Sequence, residues 1–235
     1  MKNMLFCCQV LDESDPSMSF FHEWIKYFSS SFDKITVIAL KIGSVHLPSN
    51  VQYFSLGKEK FSKLPFRRLL YIIRLIAFVL GKRNEYDKVF VHMNQEFILV
   101  SGILWKLTKK PVYLWYNHYS GNIFTDIAAR FCKKIFFTSM SAYTSHFAQS
   151  IKMPVGVNMD IFVSDRKLFK KDKPVKILFL ARISRSKHLR DLIKALSQKP
   201  LVNMNWSVQV TGPTISSDDK EYLSECKKET SDLNL

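Results

Sequence analysis

Apolar residues along the chain fall into two alternating kinds of run. Short continuous runs recur at residues 5–11, 34–40, 87–92, 112–116 and 134–138, with a weaker one at 51–56. They are rich in β-branched and aromatic side chains and lack strict alternation, so they predict strands buried on both faces. Between them apolar residues return at helical spacing, as in Phe20, Phe21, Trp24, Ile25, Tyr27 and Phe28. This spacing predicts helices over 18–31, 65–80, 97–108 and 123–132, and a short one over 141–149. Alternating strands and helices predict a parallel sheet covered on both faces, so residues 1–165 read as one open α/β domain.

Residues 166–175 read as a basic linker, after which the pattern restarts over 176–235. Strands are expected at 176–181 and 206–211, and helices at 186–197 and 217–230, the last opened by Ser217-Asp218-Asp219. Two such units fall short of the roughly six strands of a doubly wound domain. The second domain therefore reads as incomplete.

Composition narrows the class. A 235-residue chain with 47% hydrophobic and 23% charged residues excludes disordered, collagen-like and disulfide-scaffold classes. The excess of 35 basic over 20 acidic residues, a net +15, favours anionic partners: nucleic acid, phosphorylated substrates or an anionic membrane face. Cys7, Cys8, Cys132 and Cys226 show no metal-binding spacing and read as reduced buried thiols of a cytoplasmic protein, with Cys7 and Cys8 on opposite faces of one strand. The first apolar run meets Asp12-Glu13 too early for a signal peptide, and Arg74 interrupts the longest apolar stretch, against a spanning helix.

In open α/β sheets ligands bind beyond the carboxyl ends of strands. After the first strand, Asp15 and Ser17 are placed either to cap the next helix or to contact a ligand. After residues 112–116 comes His118, placed for proton transfer, for holding a hydroxyl, or for a structural hydrogen bond. After residues 176–181 comes Arg182-Ile183-Ser184-Arg185-Ser186-Lys187-His188. A helix N-terminus attracts anions, and Arg182 and Lys187 there make either a candidate phosphate clamp or a solvated basic face.

Several stretches, taken in order, resemble glycosyltransferase family 4 and its two-domain GT-B architecture. They are Gly156-Val157-Asn158 with Phe162, Leu178 through Lys187, Leu192-Ile193-Lys194-Ala195-Leu196 and Val210-Thr211-Gly212. Residues 9–16 and 114–118 are similar to a bacterial subgroup. Asn158 and Ala181 depart from the family's Asp and Gly, and no glycine-rich loop follows the first strand. The resemblance implies a complete N-terminal Rossmann-like domain and a truncated second one. It implies retaining transfer of a sugar from a nucleotide-sugar donor, as co-substrate, to a glycan or lipid-linked acceptor in cell-envelope polysaccharide synthesis. Neither a cofactor nor a metal is expected. Arg182 and Lys187 match the donor-diphosphate residues, and His118 matches a histidine at the reacting centre. Asp15, Gly156, Asn158 and Gly212 are candidate sugar, acceptor or interdomain contacts. The family's paired glutamates, with seven residues between them, lie deep in its second domain and are expected beyond the region this chain covers, while Glu221, Glu225 and Glu229 sit in an earlier polar helix and read as one solvated face. Weak or no turnover is therefore expected of this chain.

The charge has a location. Residues 58–83 hold eight basic residues against Glu59 alone, around an apolar helix. That is a membrane-surface signature, with Lys63, Arg67, Arg68 and Arg74 as membrane-facing candidates on the inner leaflet. The alternative is a core helix with a basic outer face. Two rival functions are an inactive remnant that binds membrane or a partner, and a nucleic-acid-binding module. The second has no motif behind it, so no nucleic-acid partner is expected.

Overall fold

The computed structural model describes residues 2–154, 156, 175–233 and 235. The chain divides into two compact units, Met1–Asn158 and Met159–Leu235.

The first unit contains β1 (Asn3–Leu11), α1 (Phe20–Ser29), β2 (Lys34–Ile42), β3 (Val51–Ser55), α2 (Lys58–Phe61), α3 (Arg67–Gly81) and β4 (Lys88–His92). It continues with α4 (Glu96–Leu107), β5 (Val112–Trp115), α5 (Ile123–Ala129), β6 (Cys132–Phe137) and β7 (Ser150–Lys152). The seven strands form one parallel sheet in the order β3-β2-β1-β4-β5-β6-β7. The expected fold class, α/β with a parallel sheet, is what the chain adopts.

Strand β1 explains the layering. All of its residues from Met4 to Leu11 are buried except Gln9, so both of its faces need cover. Leu5 and Cys7 pack with Leu75 and Val79 of α3 and with Phe97, Ile98 and Trp105 of α4. Met4, Phe6 and Cys8 pack on the other face with Phe21 and Ile25 of α1. The two cysteines thus enter separate cores, and burial pushes both thiols well up from their ordinary pKa. Trp105, fully buried, donates its indole N–H to the Tyr86 hydroxyl at 3.1 Å, which satisfies a donor that would otherwise be lost to water. The chain runs outward from β1 in one direction and from β4 in the other. The switch point between them is where an open α/β sheet forms a crevice at its carboxyl edge.

The second unit has β8 (Val175–Leu180), α6 (Leu189–Leu196), β9 (Trp206–Thr211) and α7 (Ser217–Asp232), with β8 and β9 paired in parallel. Its core joins Ile183, Leu189, Ile193, Tyr222 and Cys226. Helix α7 begins with a capping box in which Ser216 accepts from the Asp219 N–H and Asp219 reaches back.

Some expected elements change. The helix expected over 141–149 is a 3₁₀ turn, Tyr143–His146, followed by β7. Thr144 donates its hydroxyl to the Tyr116 carbonyl at 2.8 Å and Ser150 donates to the Thr144 carbonyl at 2.6 Å, bonds by which such residues draw backbone away from a helix. The helix expected over 186–197 is broken by His188 at φ 60°, which separates a 3₁₀ turn, Arg185–Lys187, from α6. The expected linker lies outside the described residues except for Val175, which opens β8. Among the described residues no helix is long and apolar enough to cross a membrane.

Candidate functional site

At the carboxyl edge of the first unit's sheet lies a cavity of about 1050 Å³. Its walls come from Gln9 at the end of β1, Leu40 of β2, the Met93–Phe97 turn after β4, and Tyr116 and His118 after β5. Helix α3 closes one side with Arg67, Arg68, Tyr71, Ile72 and Leu75, and Lys58 of α2 adds a third cation. Met93 holds φ 60°, a left-handed conformation unfavourable for a side chain of this kind. Its N–H donates to the Trp115 carbonyl at 2.7 Å, so the strained turn is tied to the next strand. Gln95 presents a buried Oε1 with no hydrogen-bond partner. Sequence reasoning missed Gln9, Asn94, Gln95 and Tyr71, although Asn94 and Gln95 follow a strand's carboxyl end, the same signal that singled out His118.

The loop carrying His118 is held at several points. The Asn117 Oδ1 accepts from the Thr138 and Ser139 N–H groups, both at 3.0 Å. The Tyr116 hydroxyl donates to the Ser120 carbonyl at 3.0 Å. The Tyr143 N–H donates to the His118 carbonyl at 2.8 Å. Gly121 sits under the Tyr143 ring, where a Cβ would collide with it, and Asn122 then caps α5 by accepting from Phe124 and Thr125. The His118 Nδ1 lies 3.1 Å from the Ser120 N–H, 2.7 Å from its hydroxyl and 3.2 Å from its carbonyl oxygen. These contacts hold the ring through Nδ1, and among the described residues Nε2 has no hydrogen-bond partner, so Nε2 is the nitrogen open to a ligand.

Asp15 is elsewhere. Its Oδ1 accepts from the Ser17 and Met18 N–H groups, both at 2.9 Å, the local turn that leads into α1. Asp12 is buried and accepts from the Ser14 N–H and hydroxyl and the Ser44 N–H. The bond from the Ser14 hydroxyl, first among these, holds its carboxyl below the usual range. Gly156 lines a second, aromatic cavity of about 680 Å³ with Trp24, Phe28, Phe90, Trp115 and Phe136. Asn158 lies outside the described residues.

The four membrane candidates, Lys63 before α3 and the three arginines on it, are not alike. Lys63, Arg67 and Arg68 are exposed. Arg74 instead turns inward: it donates to the Ser55 carbonyl at 3.0 Å and lies 5.2 Å from the Phe54 ring centre and 5.8 Å from that of Phe61. As a membrane contact it is corrected, because its charge is spent within the unit.

In the second unit, the turn after β8 sorts its four basic residues. Arg185 grips Glu225 with two bonds, at 3.0 and 2.7 Å, and lies 5.3 Å from the Tyr222 ring centre. His188 meets Asp191 at 2.9 Å. Arg182 keeps only a long 4.0 Å approach to Asp219, whose carboxylate is already bonded by the Ile215 and Ser216 N–H groups. Lys187 has no ion-pair partner among the described residues and is exposed. Of the four, Arg182 and Lys187 are the two left available to an anion. Gly212 is required beside them, since a Cβ there would run into the Ala181 carbonyl. The expected solvated face of Glu225 and Glu229 is corrected: both bind Arg190, at 3.5 and 2.6 Å, joining α7 to α6. Among the described residues, no group of three or more His, Cys, Asp or Glu could hold a metal ion.

No family model and no curated protein matches the chain. Solved structures do. HepE from Anabaena, crystallised with UDP and glucose, matches with a TM-score of 0.67 at 16% identity, over 100% of this chain and 67% of that one. An α,α-trehalose-phosphate synthase (UDP-forming) from Burkholderia xenovorans matches with a TM-score of 0.62 at 12% identity, over 99% and 71%. WaaG, a glycosyltransferase involved in lipopolysaccharide biosynthesis, matches with a TM-score of 0.57 at 11% identity, over 97% and 68%. At such identities the likeness shows the fold, the α/β fold of GT-B glycosyltransferases, and this chain spans about two thirds of their length.

Proposed function

We propose that the chain is a family 4-like glycosyltransferase that moves a sugar from a nucleotide-sugar donor to a glycan or lipid-linked acceptor, with retention and without a metal, in cell-envelope polysaccharide synthesis. The observation that carries this reading is the pairing-off of Arg185 and His188, which leaves Arg182 and Lys187 available at a strand-to-helix turn. In the transfer, the bond from the anomeric carbon to the donor diphosphate breaks, a bond to the acceptor oxygen forms, and the acceptor hydroxyl's proton passes to the departing diphosphate. Negative charge develops on the departing diphosphate, where Arg182 and Lys187 stabilise it. The resemblance assigns His118 to the reacting centre, and its Nε2 is the ring nitrogen open to a ligand. Support also comes from the fold likeness to HepE, a protein crystallised with UDP and with UDP-glucose.

The same reading puts the chain in the cytoplasm, peripheral on the inner leaflet. Exposed Phe66 (76%), Leu69 (55%) and Ile73 (54%) stand among Lys63, Arg67 and Arg68, an apolar face ringed by cations.

Thermal shift against a panel of nucleoside diphosphates and against short duplex oligonucleotides tests the central assignment. A nucleoside diphosphate is expected to raise the unfolding temperature and the oligonucleotide to leave it unchanged. The reverse pattern sinks the reading in favour of a nucleic-acid-binding protein.

A further inference from the structure

The second cavity of the first unit, about 680 Å³, lies on the face of the sheet that α1 covers and shares no lining residue with the cavity at the carboxyl edge. The register that pairs Phe90 with Tyr113 and Trp115 with Phe136 sets four rings side by side across β4, β5 and β6. Three of them lie nearly parallel: the Phe136 ring makes an angle of 23° with Phe90 and 9° with Tyr113. Trp24 of α1 stands edge-on to Phe90 and Trp115, at 62° and 81°, and forms a side wall. The space above this floor falls within the roughly 300–1,000 Å³ of small-molecule sites. Tyr113, Trp115 and Phe136 are only half-buried, although their strands are interior to the sheet. Interior strands of a parallel sheet are normally covered on both faces, and water against these rings is unfavourable.

One charge enters this surface. Lys88 and Phe90, two residues apart on β4, point to the same face of the sheet, and both line the cavity. The Lys88 ammonium lies 5.2 Å from the Phe32 ring centre. Among the described residues it has no ion-pair or hydrogen-bond partner. A ring face attracts a cation but offers no oxygen to its three N–H groups, and Lys88 is half-buried, so water fills that role only in part. Among the described residues the lining holds no carboxylate. Asn117 and Thr138 stand at the opposite, carboxyl end, where the Asn117 Oδ1 is already taken by two backbone N–H groups. A small inorganic anion would answer Lys88 and leave the rings bare. A neutral ring would cover the floor and leave Lys88 unanswered.

From this combination we infer that the cavity is a binding site for a planar aromatic acid, with its rings stacked on Phe90, Tyr113 and Phe136 and its carboxylate on Lys88. Parallel rings favour offset stacking with a flat partner over contact with a flexible chain. Two residues of strand separate Lys88 from Phe90, about 7 Å, which suits a body of one or two fused rings carrying its charge at one end. The site is independent of the glycosyltransferase reading and of the residues assigned to donor and acceptor.

The test is isothermal titration of the full chain with 2-naphthoate, set against the neutral 2-naphthamide and the aliphatic acid decanoate. Naphthoate is expected to bind about tenfold or more tightly than either, since only it uses both the floor and the cation. Lys88→Met, which keeps the length of the side chain, is expected to weaken naphthoate about tenfold and to leave naphthamide unchanged. Lys88→Arg is expected to retain most of the naphthoate binding. Phe136→Leu is expected to weaken both naphthalene compounds several-fold, and circular dichroism of each variant checks folding. Arg67→Ala with Arg68→Ala, at the other cavity, is expected to change nothing. Decanoate binding as tightly as naphthoate overturns the inference in favour of a general lipid groove. So does binding of none of the three, or naphthoate binding indifferent to Lys88→Met. A dimer in sedimentation equilibrium that Phe136→Leu dissociates overturns it in favour of an interface between two copies.

Discussion

His118 shows how far one residue can be read before its neighbours are known. Its place after a strand was visible, and so were three roles for it. Its local partner was not, because Ser120 folds back so that its N–H, hydroxyl and carbonyl all meet Nδ1. That leaves Nε2 as the nitrogen open to a ligand. His118→Gln, whose amide keeps a hydrogen-bonding group near that position, should therefore keep substantially more nucleotide-sugar binding than His118→Ala. Equal loss of binding from the two would contradict the hydrogen-bonding role. Arg185 teaches a related lesson: its partner, Glu225, lies 40 residues away in sequence, so nothing local distinguished it from Arg182. His92 was not singled out at all. It sits at the end of β4 among Phe20, Phe21, Trp24 and Trp115, and burial pulls its pKa from 6.5 down to about 4. The unfolded chain takes up this proton near 6.5 and the folded chain only near 4, so the unfolded state binds more protons between them. Stability is full above pH 6.5 and falls as the pH drops toward 4, by about 3 kcal/mol at 1.36 kcal/mol per unit. Urea midpoints measured by tryptophan fluorescence at pH 7 and pH 4.5 check this, and His92→Phe should flatten the difference.

At the scale of elements, strands were the most legible part. The apolar runs at 5–11 and 34–40 read as buried strands, and β1 and β2 are buried over most of their length. The short elements were not legible. Strand β7 is three residues long and exists because β6 offers it an edge to pair with, and helix α2 spans a single turn. Helix α3 was expected over 65–80 and spans Arg67–Gly81, but its basic residues could not be assigned to faces from spacing alone. The aromatic rings that receive Arg74 come from β3 and α2. On the proposed peripheral reading, that leaves Lys63, Arg67 and Arg68 to face the membrane, each worth about 1 kcal/mol near an anionic leaflet. Co-sedimentation with phosphatidylserine-containing vesicles at low salt should show binding that falls by about two orders of magnitude when all three become alanine. Unaltered protein left in the supernatant when the vesicles pellet would contradict the docking face.

The whole molecule was legible as a class. Strand–helix alternation led to a parallel sheet, and a sevenfold parallel sheet is present. The strand order, with its switch between β1 and β4, was beyond sequence, since buried apolar strands carry no mark of which neighbour they will pair with. The charge was legible in amount but not in use. Of the eight basic residues between 58 and 83, Lys82 pairs with Glu85 and Arg83 bonds the Leu80 carbonyl, while Lys58, Arg67 and Arg68 stay open to a ligand. In the second unit the same sorting isolates Arg182 and Lys187, and the account of function depends on that pair. Isothermal titration of the full chain with uridine, guanosine and adenosine diphosphates, repeated on Arg182→Ala with Lys187→Ala, tests it most directly. The account predicts that at least one of the three binds and that the double substitution weakens it by at least about tenfold, or 1.4 kcal/mol. Binding of none of them, or binding indifferent to the substitution, would contradict it.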